Sequence, residues 1–175
     1  MAGVKWGFNL YFAAGLILLL GGCATSKDPN DKLTTMLRGH LEALPRGVVP
    51  TSEIVVYRAH PVTLKIENLH VLTEDNIIGA RVVEQMGTYA IEIKIDQWAV
   101  PLIEHSSSSH QGRRLAIQAQ WGPKQENYRW LAAPKMTRRI TDGTFTFTPD
   151  ATLEECYQIV TGLNNKARKS KKAWD

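Results

Sequence analysis

Leu33, Met36, Leu37, His40, Leu41 and Leu44 fall at three- and four-residue spacings, whereas further along the chain apolar positions alternate with polar ones. The first pattern is a stripe on a helix and the second is that of half-buried strands. Asp28-Pro29 supplies an N-cap followed by proline, and Pro45 supplies a stop, so the stripe predicts an amphipathic helix over 29–44. Residues 45–51 read as a linker. Beyond it Ile54 to Tyr57 is strand-like, Val62, Leu64 and Ile66 alternate with Thr63, Lys65 and Glu67, and Tyr89, Ile91, Ile93 and Ile95 alternate with Ala90, Glu92 and Lys94. Val82 and Val83 lead into Met86-Gly87-Thr88, which predicts a hairpin over 80–95. Thr73 to Ile78 reads as a short helix ahead of it.

Asp96 caps a predicted helix carrying Trp98, Leu102 and Ile103, whose start Pro101 delays or kinks. The run Ser106-Ser107-Ser108-Ser109 is expected to break that helix and lead into a strand over Arg114 to Ala119. Further strands are expected at Arg129 to Ala132, Arg138 to Ile140 and Thr144 to Phe147, with Asp142-Gly143 as the tight turn between the last two. Thr152 and Glu155 form a capping box, and Leu153, Cys156, Val160 and Leu163 are the inward stripe of a last helix. The sum is an α+β fold: a single domain with a mostly antiparallel sheet packed by two or three helices.

The N-terminus has a different character. Lys5 is a short cationic region, Phe12 to Leu20 is uncharged but too short for the ~20 residues of a spanning helix, and Leu20-Gly21-Gly22-Cys23 closes the run. This segment resembles the signal peptide and lipobox of bacterial lipoproteins. The resemblance implies removal of 1–22, diacylglyceryl and acyl chains (palmitate among them) on Cys23, and an anchor in the lipid bilayer that several chains make stable. Residues 23–28 then form a tether. Ala24-Thr25, with no aspartate after the cysteine, points to outer-membrane sorting by analogy with enterobacterial lipoproteins, on the periplasmic side of the cell envelope.

Removing the first 22 of the 175 residues leaves 153, enough for one domain with a sizeable core. Charge alters the picture in one respect. Of 21 basic and 17 acidic residues, Lys5 and the five tail cations Lys166, Arg168, Lys169, Lys171 and Lys172 stand apart with Asp175, which leaves 15 against 16 in the body. The high pI of 9.1 therefore reports an appendage, and nucleic acid is not an expected partner. Residues 165–175 are expected to be a disordered basic tail, either solubilising or adherent to anionic surfaces. With Cys23 lipidated, only Cys156 remains, so no intramolecular disulfide forms.

Candidate chemistry is sparse. His105 and His110 flank the serine run, but metal sites need three or four converging ligands and a serine nucleophile needs an oriented base. No glycine-rich phosphate loop or paired carboxylates accompany them, so no catalytic, cofactor or metal site is expected and the chain reads as non-enzymatic. His40 reads as packed or edge-exposed, and Cys156 as a small buried hydrophobe. Trp121, Tyr128 and Trp130 cluster around Gly122-Pro123 and form either a partner-binding platform or part of the core and a hairpin lid.

Gly112-Arg113-Arg114-Leu115-Ala116-Ile117, Ala133-Pro134, Ile140-Thr141-Asp142-Gly143 and Phe147-Thr148-Pro149 through Glu154-Glu155 to Gly162-Leu163-Asn164 follow one another in an order that resembles the first periplasmic (P1) head subdomain of the SecD protein-export subunit. The likeness spans about 78–164 within a domain expected over 52–164. It implies an α+β head that touches extended or unfolded polypeptide. SecD itself has further membrane segments and a proton-driven partner, which this chain does not match, so a translocation motor is not implied. Two functions follow as expectations: a cell-envelope lipoprotein whose head binds a polypeptide or another envelope component, or a tethering lipoprotein that contacts an anionic surface through its basic tail.

Overall fold

The computed structural model describes residues 28–172; the predicted signal segment, Cys23 and the tether as far as 27 lie outside the described residues, as do 173–175. The alternating stretches form strands β1 (Thr34–Glu42), β2 (Thr51–Val56), β3 (Val62–Thr73), β4 (Ile77–Gln85), β5 (Thr88–Ile95), β6 (Leu115–Gly122), β7 (Asn127–Ala132) and β8 (Thr144–Phe147), with helices α1 (Val100–Ser109) and α2 (Leu153–Lys172). They make a five-stranded sheet of order β2-β3-β1-β6-β7 and a three-stranded sheet of order β4-β5-β8, antiparallel throughout. This is the expected α+β class.

One core lies between one face of the larger sheet (Leu37, Leu115, Ile117, Trp121), the smaller sheet (Ile91, Ile93, Phe147) and the two helices (Ile103, Ile159, Leu163). A smaller apolar cluster of Ile54, Val56, Leu64, Ile66, Ala116 and Ala133 sits on the opposite face of the larger sheet, where β2 curls over towards β7. The β4–β5 hairpin turns at Met86 (φ 51°) and Gly87 (φ 75°), the two left-handed positions of a type I′ turn, whose twist matches that of the flanking strands.

The helix predicted over 29–44 is instead a single 3-10 turn, Pro29–Lys32, followed by β1, an inner strand of the larger sheet. Asp28 does cap the turn, its Oδ1 accepting from Asn30 N at 2.9 Å. The stripe misleads because Leu33, Leu37 and Leu41, four apart, share one face of a strand as readily as of a helix. The hydrogen bonds to β3 and β6 then decide the matter, helped by Thr34, Thr35 and Gly39, which are poor helix formers.

Three other boundaries move. The serine run continues α1 to Ser109, because Ser107 Oγ and Ser108 Oγ bond back to Glu104 O at 3.1 and 2.9 Å, and Ser106 and Ser107 are small enough to be buried. Pro101 falls in the helix's first turn, where its missing N–H costs nothing, and Trp98 stays exposed in the turn before it. Arg138 to Ile140 is not a strand; Ile140 is buried with its N–H donated to Ser107 Oγ.

Residues 165–172 continue α2 rather than forming a disordered tail. Asn165 is buried and its Nδ2 donates to Asn30 O at 2.7 Å and Leu33 O at 3.0 Å. Lys166 Nζ lies 2.9 Å from Glu74 Oε1 and 2.7 Å from Asp75 Oδ1, and Arg168 pairs with Asp31 at 3.5 Å. The chain's entry turn and the end of its last helix are thus clasped together. The capping box at the other end forms as the sequence requires, Glu155 N donating to Thr152 Oγ1 and Thr152 N to Glu155 Oε2.

Candidate functional site

Alternation along β1 and β6 divides the larger sheet between two environments. Thr35, Leu37, Gly39 and Leu41 on β1, and Leu115, Ile117, Ala119 and Trp121 on β6, face the core and are buried. The intervening residues face the other way. Register places Met36 opposite Gln120 and Gln120 opposite Tyr128, then Arg38 opposite Gln118 and Gln118 opposite Trp130. His40 lies opposite both Ala116 and His70.

No helix among the described residues packs on this side, which is covered only at the end where β2 curls over it. The uncovered part is therefore a face of amides, aromatic rings and histidines. Tyr128 is 56% exposed and His70 is exposed; Met36, Arg38, Gln118 and Gln120 are half-buried, as is Trp130, which packs against the border of the covered cluster, while His40 is buried beneath it.

The face is fixed from beneath and along its rim. Trp130 meets the His40 ring edge-on, with centroids 5.6 Å apart, and His40 meets His70 at 5.9 Å. His40 Nδ1 donates to Glu67 O at 3.0 Å. Burial holds the His40 pKa below the usual histidine value against the raising effect of that bond, and the neighbouring His70 and Arg38 add to the lowering, so the ring is neutral at neutral pH. Gln120 Nε2 donates to Gln125 O at 2.8 Å, which holds its amide in place. Arg113 Nε donates to Glu42 O at 2.7 Å and its guanidinium pairs with Glu67, closing the rim near His40. Flat rings, amides and a cation offer stacking and hydrogen bonds; nothing in the set supplies a nucleophile with its base.

The predicted aromatic cluster is split by this geometry. Tyr128 and Trp130 lie on the open face, whereas Trp121 is fully buried on the core side, under the Arg129 guanidinium, whose carbon is 5.3 Å from its ring centroid. Trp121 is therefore not a partner contact. The phase of β6 carries the reason: Trp121 follows Leu115, Ile117 and Ala119 at steps of two. The same phase exposes Gln118 and Gln120, which sequence reasoning passed over. Arg38 and His70 were concealed by the helical reading of β1 and by the irregular register of β3, which shifts twice against β1.

The remaining candidates are dispersed. His105 is exposed on α1, Glu104 pairs with Arg139, and His110 Nδ1 is 3.0 Å from Ser106 O at the end of α1. Among the described residues no three His, Cys, Asp or Glu side chains converge as a metal site would require. Cys156 is buried in the core, where burial, with the negative charge of Glu155, pushes its thiol pKa up to about 11. A cavity of about 610 Å³ lies elsewhere, a groove between the entry turn and α2 lined by Leu33, Pro123, Leu153 and Tyr157 among others.

Two sheets, an α2 laid across them and one uncovered sheet face can be compared directly with solved structures. A chain of SecDF, described as a membrane component that enhances protein export, superposes with a TM-score of 0.54 at 16% identity, over 77% of this chain and 64% of that one. The fold is SecD-like. SecDF in a super-membrane-facing form gives 0.46 at 12% identity, over 80% of this chain and 30% of that one. The translocon-associated SecDF of Thermus thermophilus gives 0.41 at 12%, over 78% and 30%. The chain thus spans less than two thirds of the length of each SecDF chain. No protein-family model and no curated protein matches it. Among the described residues no helix of this SecD-like domain is long and apolar enough to cross a membrane.

Proposed function

We propose that this chain is a lipid-anchored, non-enzymatic protein of the bacterial cell envelope whose SecD-like domain binds polypeptide, in a role related to protein export. One observation carries the reading: a sheet face that no helix among the described residues covers presents Tyr128 and Trp130 beside Gln118, Gln120 and Arg38. Rigid amphipathic rings beside amide groups suit contact with an extended chain of varied sequence. The SecD-like fold supports the connection to export. The lipobox supports acylation of Cys23 and display from a membrane, with outer-membrane sorting as the finer expectation.

The tethering alternative draws on the basic C-terminal segment, and two of its cations, Lys166 and Arg168, are already engaged with Glu74, Asp75 and Asp31. The open face is the better supported contact.

The test uses the full chain carrying a photoreactive amino acid at position 130 or, as a control, at the exposed Tyr157 on α2. A purified, permanently unfolded polypeptide should crosslink from 130 and much less from 157; equal labelling of both positions, or of neither, refutes the reading. Mass analysis of the N-terminal peptide tests the anchor. A peptide beginning at Cys23 with an acyl increment is expected, and its absence removes the lipid from the proposal.

A further inference from the structure

Tyr128 and Trp130 lie on an edge strand, and hydrogen bonds further along β6 fix where their backbone groups point. Glu42 N donates to Arg114 O at 2.9 Å, so Arg114 turns towards β1, while Leu115 N donates to Pro134 O at 2.9 Å, so Leu115 turns towards the β7 side. In an antiparallel sheet this sense alternates residue by residue. Ala119 and Trp121 therefore address β7, where the register opposes them to Arg129 and Asn127. The N–H and C=O groups of Tyr128 and Trp130 point away from the sheet, and no hydrogen bond from another described residue reaches them.

Elsewhere the comparable groups are occupied. Asp150 N donates to Leu131 O at 2.7 Å, and Ala133 N donates to the Tyr57 hydroxyl at 3.0 Å, closing the far end of the β7 edge. On the edge strand of the smaller sheet, the Asn164 side chain takes both outward groups of Ala80, accepting from its N at 2.8 Å and donating to its O at 2.9 Å. Edge strands are usually blunted in such ways, or by proline and lysine, because unpaired edges recruit other chains. The stretch Asn127-Tyr128-Arg129-Trp130 carries neither residue.

Tyr128 and Trp130 thus combine an aromatic ring on the open face with an unpaired donor and acceptor on the edge, at the two-residue spacing of an extended strand. We infer that an extended polypeptide segment adds antiparallel to β7 as a sixth strand of the larger sheet, pairing its backbone with Tyr128 and Trp130. The residues that pair share the side of the sheet with these rings, so alternate side chains of the bound segment lie on the open face. Recognition through the backbone tolerates many sequences. The inference rests on the proposed polypeptide-binding role of that face and specifies its mode.

The experiment uses the full-length chain and a nine-residue peptide of alternating valine and threonine, with lysine added at each end. Two further versions carry N-methyl groups on the valine amides or on the threonine amides. Valine, the more apolar, belongs on the ring side, so its amides face β7. Methylation there should weaken binding tenfold or more, methylation of the threonine amides should leave affinity within about twofold, and the Tyr128 and Trp130 amides should gain hydrogen-exchange protection with the unmodified peptide. Equal binding by all three peptides overturns strand addition and leaves side-chain contact on the open face intact. Failure of the unmodified peptide to bind overturns both.

Discussion

Gly162 on α2 lies directly against Thr35 on β1: a Cβ on Gly162 would stand 2.8 Å from the Thr35 backbone nitrogen. Thr35 Oγ1 also donates to Ile159 O at 3.0 Å, one turn earlier on the same helix. This contact sets α2 flush on the sheet and so fixes which face of the sheet is left uncovered. Ala has a helix propensity about 1 kcal/mol better than Gly, but overpacking of this kind costs about 1–3 kcal/mol. Gly162→Ala is therefore expected to destabilise on balance, seen as a lower denaturant midpoint with unchanged slope. A raised midpoint would mean that α2 has slack at this crossing.

Ile93 and Ile117 are fully buried from the two sheets into the same core. Truncation of either to Ala should cost about 2–5 kcal/mol through lost burial and the cavity left behind. Thermal unfolding checks both. A neutral result at both positions would contradict the assigned strand faces.

Arg129 Nη2 is 3.0 Å from Glu155 Oε1 and ties β7 to the first turn of α2. Burial acts to raise the Glu155 pKa, but the hydrogen bonds from Arg129 and from Thr152 N–H outweigh it and hold the carboxyl below its ordinary value. A group with a depressed folded pKa contributes stability that is present above its unfolded value and is lost as pH falls through the folded value. Unfolding measured from neutral pH downward should show a loss beginning near pH 4.3, the ordinary value for glutamate. Glu155→Gln should start lower and fall less steeply in that window. Parallel curves for the two proteins would show that the pair is not linked to folding.

Cys156 should resist thiol reagents in the native state at pH 8, since its pKa near 11 leaves little thiolate and its side chain is buried. Labelling in denaturant should be complete. Rapid native labelling would place Cys156 at an accessible surface and refute the packing of α2.

Much of the architecture is legible along the chain because it rests on local chemistry. The β4–β5 hairpin follows from Val82 and Val83 leading into Met86-Gly87-Thr88 and the alternation beyond it, and the start of α2 from the Thr152 and Glu155 side chains reaching each other's backbone. The short turn after Thr73 is equally local, with Thr73 N donating to Asn76 Oδ1 at 3.0 Å. Part of the candidate face was legible too: Tyr128 and Trp130 stand out as aromatics near a turn.

The sequence by itself determined the α+β class, most strand phases and the candidate anchor, because period-two patterning, capping and turn chemistry act over a few residues. Only the tertiary structure decided that Leu37 and Leu41 belong to a strand, with Leu33 just ahead of it, since a four-residue spacing satisfies helix and sheet alike until β3 and β6 supply hydrogen bonds. It likewise decided that residues 165–172 are helix, because Asn165 and Lys166 find their partners at Asn30, Leu33, Glu74 and Asp75, far away in the chain. The separation of Trp121 from Tyr128 and Trp130 has the same origin. Which side of a sheet is buried depends on where the helices are laid, and that is settled by contacts remote in sequence, such as Gly162 on Thr35.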